Sequence, residues 1–119
     1  EKAVENIDLG PLGAEMNRGF LHLLVLAVLE KPTYGYLMLK SFERLGYSVE
    51  EPTLYPLLRR LESRGLIRSE WEIREGRPKK FYVLTREGRA VRKGLLAIWQ
   101  SQKEILNSVL KGVRDGIKT

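Results

Sequence analysis

Residues 52–84 read PTLYPLLRRLESRGLIRSEWEIREGRPKKFYVL, and the apolar spacing changes period inside that stretch. Leu54, Leu57, Leu58 and Leu61 fall at i, i+3, i+4 and i+7, the single stripe of an amphipathic helix. Pro52 suits the first turn of that helix and Gly65 closes it. From Leu66 onward the period is two: Ile67, Ser69, Trp71 and Ile73 share one face of a strand. Residues 74–78 supply a turn through Gly76 and Pro78, and residues 79–84 return as a second strand. A leucine-anchored helix therefore runs straight into a protruding hairpin.

Working outward, residues 17–30 are apolar around the whole helical circumference, which predicts a helix buried on most sides, stopped at Lys31-Pro32. Thr33 is a good N-cap for a second helix over 34–45, with Leu37, Met38, Phe42 and Leu45 as its apolar face and Gly46 as its end. Residues 1–15 hold two glycines and a proline without sustained period and read as a flexible arm. Downstream, Thr85 caps a helix over 86–114, longer than a compact domain of this size requires. The expected fold is mainly α with a small β-hairpin: a winged helix-turn-helix domain over 16–85, followed by a long C-terminal dimerisation helix within 86–119.

The chain has 119 residues, enough for one domain. It has no cysteine and a single histidine, His22, set in an apolar helix, so no disulfide, thiolate site or conventional transition-metal cage can be built. Glu70 and Glu72 lack a neighbouring base, and no glycine-rich phosphate loop or nucleophile elbow occurs. A non-enzyme without cofactor or metal is expected. The longest apolar run is about half a bilayer span and no secretory leader pattern is visible, so a cytoplasmic protein without membrane contact is expected.

The net charge of +6 is unevenly spread. Residues 1–16 carry one lysine against four acids, whereas residues 52–89 carry ten basic and five acidic side chains. Such a field is the kind a polyanion would select, with a merely solvated basic surface as the alternative; together with the helix and hairpin it makes double-stranded DNA the expected partner. With the leucines facing inward, Arg59 points nearly opposite them, and Thr53, Tyr55 and Arg60 sit on the flanks. Arginine can bond guanine edges bidentately, and Tyr or Thr hydroxyls can bond phosphates or base edges. The hairpin tip gathers Arg74, Arg77, Lys79 and Lys80 against Glu75 alone. Four like charges there help no core, but phosphates would neutralise them. An ordinary amphipathic helix and a plain basic turn are the alternatives for each element taken singly.

Three segments together resemble the PadR family of transcriptional regulators: Thr33-Tyr34-Gly35-Tyr36-Leu37, residues 53–67, and Gly76-Arg77-Pro78-Lys79-Lys80-Phe81-Tyr82-Val83-Leu84-Thr85-Arg86-Glu87-Gly88. The likeness spans roughly residues 17–115. It implies a homodimeric regulator, usually a repressor on an inverted-repeat operator, of the subgroup with one short C-terminal helix. It also implies DNA contacts from Thr53, Tyr55, Arg59 or Arg60, from Arg77, Lys79 and Lys80 of the wing, and from Tyr34 and Tyr36.

In the last helix Val91, Leu95, Ile98, Gln102, Ile105 and Val109 step by fours and threes, with Trp99 and Leu106 broadening the stripe and Arg92, Lys93, Lys103 and Lys111 on the outside. A stripe sustained over about five turns outlasts the rest of the domain and should pack against a second copy. The alternative is packing wholly against the chain's own first helix. Trp99 could pair across a dyad and hold a flat aromatic effector, as several regulators similar to this family do, or it could be plain core. A winged helix used only for protein interaction is the other functional class. Such modules usually lose the cations that this chain keeps at Arg59, Arg60, Arg77, Lys79 and Lys80.

Overall fold

The computed structural model describes residues 9–116. In chain order the elements are α1 (Gly10–Val28), β1 (Thr33–Tyr34), α2 (Gly35–Arg44), α3 (Glu51–Ser63), β2 (Ile67–Arg74), β3 (Arg77–Leu84) and α4 (Arg86–Arg114). The α3 leucines behave as their spacing requires: Leu54, Leu57, Leu58 and Leu61 are all buried. They meet Leu21, Val25, Leu26 and Leu29 of the first helical segment, Met38 and Phe42 of α2, and Ile67, Tyr82 and Leu84 from the base of the hairpin. Each such side chain removed from water contributes about 1.5–3 kcal/mol, and together they fix three helices around one core.

The hairpin joins β2 to β3 antiparallel, with Ile67 opposite Leu84 and Arg74 opposite Arg77. Glu75 and Gly76 both take positive φ, at 55° and 76°, the tight two-residue turn that follows the strand twist. The sheet is three-stranded rather than a bare hairpin. Thr33 and Tyr34 pair with Tyr82 and Phe81 of β3, giving the order β1-β3-β2. Thr33 is therefore a buried strand residue and not an N-cap; Tyr34 holds the cap position of α2 with no side-chain cap bond. A two-residue strand is too short to show a period, and its partner lies nearly fifty residues away. Leu45, expected on the apolar face of α2, is 83% exposed because the helix ends at Arg44.

Residues 10–15, expected as part of a flexible arm, are the first turns of α1. Pro11 fits a helix start, but those turns are largely exposed, and a helix with no buried face leaves no apolar period to read. The rest of the expected arm, residues 1–8, lies outside the described residues.

The 29 residues of α4 reach about 44 Å and account for most of the 61 Å long axis of the molecule. Its first half packs inward. Val91 and Leu95, expected to face a partner, are partly buried against this chain's own core. Arg92, expected on the solvent side, donates to the carbonyl oxygens of Leu26 (3.1 Å) and Ala27 (3.2 Å) and pairs with Glu30. It thereby satisfies the open C-terminal carbonyls of α1, where a cation is favoured. Further along, Ile98, Trp99, Ile105, Leu106, Val109, Leu110 and Val113 are exposed, and Gln102 lies exposed among them. No helix among the described residues is long and apolar enough to cross a membrane.

The junction of α3, the hairpin and α4 is one knot. Thr85 caps α4 by accepting from the Gly88 N–H (3.0 Å), and its hydroxyl donates to the Gly65 carbonyl (2.6 Å). The Thr85 N–H bonds the Leu66 carbonyl at 3.1 Å. Gly88 lies so close that a Cβ there would overlap the Leu66 carbonyl oxygen, a backbone atom with nowhere to go. At Gly94, by contrast, a Cβ meets nothing within 4 Å. Gly88→Ala should therefore lower the unfolding free energy in urea by about 1–3 kcal/mol. Gly94→Ala should leave it unchanged or raise it by up to about 1 kcal/mol. Equal effects of the two substitutions would contradict this packing.

Candidate nucleic-acid interface

Between α3, the first residues of α2 and β3 lies an open cleft of about 460 Å³, lined by Tyr34, Gly35, Tyr36, Tyr55, Arg59, Lys79, Lys80 and Tyr82. Six of these were singled out from sequence: Tyr34, Tyr36, Tyr55, Arg59, Lys79 and Lys80. Three elements deliver them. β1 and the start of α2 bring Tyr34 and Tyr36, α3 brings Tyr55 and Arg59 four residues apart on one flank, and β3 brings the lysines.

The two cleft lysines are held by rings rather than by acids. The Lys79 ammonium lies 4.3 Å from the centre of the Tyr34 ring and donates to its hydroxyl at 3.3 Å. Lys80 lies 5.6 Å over the Tyr82 ring, and Lys40 lies 5.5 Å over Tyr36. Cation–π contacts fix a side chain while leaving its charge uncompensated. Among the described residues neither Arg59, Arg77, Lys79 nor Lys80 is ion-paired, since the salt bridges are Lys40–Glu43, Arg68–Glu70, Arg74–Glu72 and Arg92–Glu30. Arg74, counted with the wing cations, is thus neutralised by Glu72 and stacks 4.7 Å over Phe81. The cleft is positive, rich in hydroxyl donors, and bordered by the uncapped start of α2, which has no acid in its first turn. Such a surface suits phosphate oxygens.

The other sequence-derived positions fall elsewhere. Thr53 and Arg60 line a second cleft of about 570 Å³ on the opposite side of α3, with Asn17, Arg18, His22 and Tyr47. Arg77 stands at the hairpin tip. His22 Nδ1 donates to the Arg18 carbonyl at 2.7 Å and behaves as a structural side chain. Two cleft residues were not singled out. Tyr82 shares a strand face with Lys80, so the period of two could have found it. Gly35 could not be found that way, because its contribution is space: a Cβ there would stand 2.5 Å from the Tyr55 hydroxyl oxygen.

Burial, with smaller contributions from the Glu51 carboxylate and Tyr82, raises the Tyr55 hydroxyl above its usual value of 10.0. Burial and then Glu62 raise Tyr82, against the opposing pull of Arg59, and burial alone raises Tyr47. All three stay protonated donors at neutral pH.

Three short helices, the second and third joined by a turn, and a wing whose sheet takes in the strand before the second helix make this a winged helix-turn-helix protein with an extended last helix. Comparison with known proteins agrees. The transcriptional regulator PadR-like family matches residues 24–94. A PadR family transcriptional regulator from Eggerthella lenta is 41% identical, with a TM-score of 0.69 over 83% of this chain and 85% of that one. A Streptococcus transcriptional regulator is 25% identical, with a TM-score of 0.74 over 79% and 95%. The transcriptional regulator Rv3488 of Mycobacterium tuberculosis is 36% identical over 77% of this chain and 82% of its own. The chain belongs to the PadR-like family of transcriptional regulators.

The raised tyrosines fix a direction for alkaline stability. Above pH 10 the unfolded chain releases tyrosine protons that the fold still holds, so stability is intact below that pH and is lost as pH rises through the folded values. Ultraviolet absorbance of tyrosinate should show Tyr47, Tyr55 and Tyr82 ionising late. In Gly35→Ala the displaced Tyr55 ring should titrate near its ordinary value, leaving one late tyrosine fewer. An unchanged titration would show that the ring does not need the space at Gly35.

Proposed function

We propose that this protein is a sequence-specific DNA-binding transcriptional regulator, not an enzyme. In this reading it works in the cytoplasm as a homodimeric repressor on an inverted-repeat operator. The observation that carries the reading is the cleft between α3 and the wing, where Arg59, Lys79 and Lys80 converge with four tyrosines and no acid pairs them. The displayed side of α3 enters the major groove, with Arg59 as the base-reading residue and Thr53 and Arg60 on the backbone strand along its other flank. Tyr34, Tyr36, Tyr55, Lys79 and Lys80 hold the phosphates beside the wing, and Arg77 reaches the minor-groove side from the tip.

The dimer rests on the exposed half of α4. Ile98, Trp99, Ile105, Leu106 and Val109 run along it, together with Leu9, Leu12 and Met16 at the exposed end of the first helical segment. This much apolar surface favours burial against a second copy. Trp99 is 41% exposed, with Lys103 at 5.3 Å from its ring. A planar aromatic effector stacked there between the subunits is the means of release this face would allow.

Titration of a labelled duplex by fluorescence anisotropy tests the reading. If each subunit neutralises about three to five phosphates, log affinity against log salt should have a slope on the order of −5 to −9 for a dimer and about half that for a monomer. On an operator selected from a random pool, Arg59→Ala should cost about 1–3 kcal/mol more than on a scrambled duplex, whereas Lys79→Ala should cost the same on both. A slope near zero would place the protein among winged helices that bind other proteins.

A further inference from the structure

The two faces of the wing differ in a way that cation content alone does not explain. Register places Ile67, Ser69, Trp71 and Ile73 on one face with Leu84, Tyr82, Lys80 and Pro78. At the base this face is the core-facing one. Ile67, Tyr82 and Leu84 are buried, and the Ser69 hydroxyl donates to Glu62 of α3 at 2.7 Å. Beyond the shelter of α3 the same face continues with Trp71 at 68% exposure and Ile73 at 76%. Neither contributes to the core. Both strand acids, Glu70 and Glu72, lie on the other face, bound to Arg68 and Arg74. The only charged side chain on the Trp71 face is Lys80, directly across from Trp71 and within the phosphate-binding cleft.

An indole and an isoleucine beside one uncompensated cation, on the side of the wing that faces α3, match a partner that alternates apolar and anionic groups. The sugar–phosphate edge of DNA is such a partner: deoxyribose carbons are apolar and each is flanked by phosphates. A protein surface of the same shape would have to carry its own acid opposite Lys80. We propose that Trp71, with Ile73 beside it, is a DNA-contacting residue of the wing, its indole lying on the deoxyribose wall next to the phosphate that Lys80 neutralises. This rests on the DNA-binding reading above and adds to it a contact that does not depend on salt. Apolar burial releases no counterions, whereas each phosphate neutralised does.

The full-length protein tests this in two ways. Trp71→Thr keeps a β-branched residue in the strand, so the wing should stay folded by circular dichroism. Its affinity for duplex DNA should fall on the order of tenfold at every salt concentration with the slope unchanged, whereas Lys80→Ala should flatten the slope by about one per subunit. In a Trp99→Phe protein, where Trp71 is the sole indole, titration with unlabelled duplex should shift the emission to shorter wavelength and shield it from iodide. Both changes should saturate with the anisotropy of the labelled duplex. Wild-type affinity in Trp71→Thr, or an indole that stays iodide-accessible on a duplex that anisotropy shows to be bound, overturns the assignment and leaves the DNA-binding reading intact. Absence of any duplex binding overturns both.

Discussion

One hydroxyl ties the wing and the last helix to the end of α3. Thr85 stands where β3 ends and α4 begins, yet its side chain reaches back to the Gly65 carbonyl at the end of α3 while capping α4 through Gly88. Its amide bonds Leu66, whose own amide bonds Leu61 inside α3. Four elements that leave the core in different directions are thus tied within a few ångströms. That tie, together with the packing of Ile67, Tyr82 and Leu84 against the α3 leucines, fixes how far Lys79 and Lys80 on the hairpin stand from Arg59 on α3. Gly88 belongs to the same constraint, because only a residue without a side chain lets α4 start against the Leu66 carbonyl.

Holding cations together without acids costs electrostatic energy. The tyrosines ease that cost without cancelling the charge. Lys79 and Lys80 each lie over an aromatic ring, and burial raises the Tyr55 and Tyr82 hydroxyls above their usual value of 10.0. The cleft is thereby ordered while its charge stays unpaired, which would lower the ordering entropy of binding an anionic partner and leave that binding sensitive to salt. The apolar end of the wing stands outside this economy. The folded chain leaves most of the Trp71 and Ile73 side chains uncovered, so a contact made from outside would have apolar surface to bury there.

Much of this was legible in the sequence because burial imposes a period. The α3 leucines, the alternation through Ile67 and Tyr82, and the Thr85 cap each left a local pattern. What escaped was set at long range or by space. β1 is two residues long and visible only through its pairing with β3. The first turns of α1 bury nothing and so have no stripe. Arg92 looked like a solvent cation because a helix wheel cannot show the end of another helix arriving beside it. A wheel places Arg59 opposite the leucines and Thr53, Tyr55 and Arg60 on the flanks, but it cannot show that packing of α1 and the wing divides the four between two clefts. The α4 stripe is continuous in the sequence, whereas in the fold Val91 and Leu95 serve the chain's own core and the residues from Ile98 onward stay uncovered.

In the reading proposed above, the cleft between α3 and the wing is the surface that meets DNA. Amide chemical-shift mapping on the isotope-labelled protein, with and without a duplex, tests it most directly because every described region reports at once. The largest changes should fall at Tyr34–Tyr36, along the first three turns of α3 and through the wing strands, with the exposed half of α4 unmoved. Changes concentrated on α4 or the first turns of α1, with the cleft residues unaltered, would contradict it.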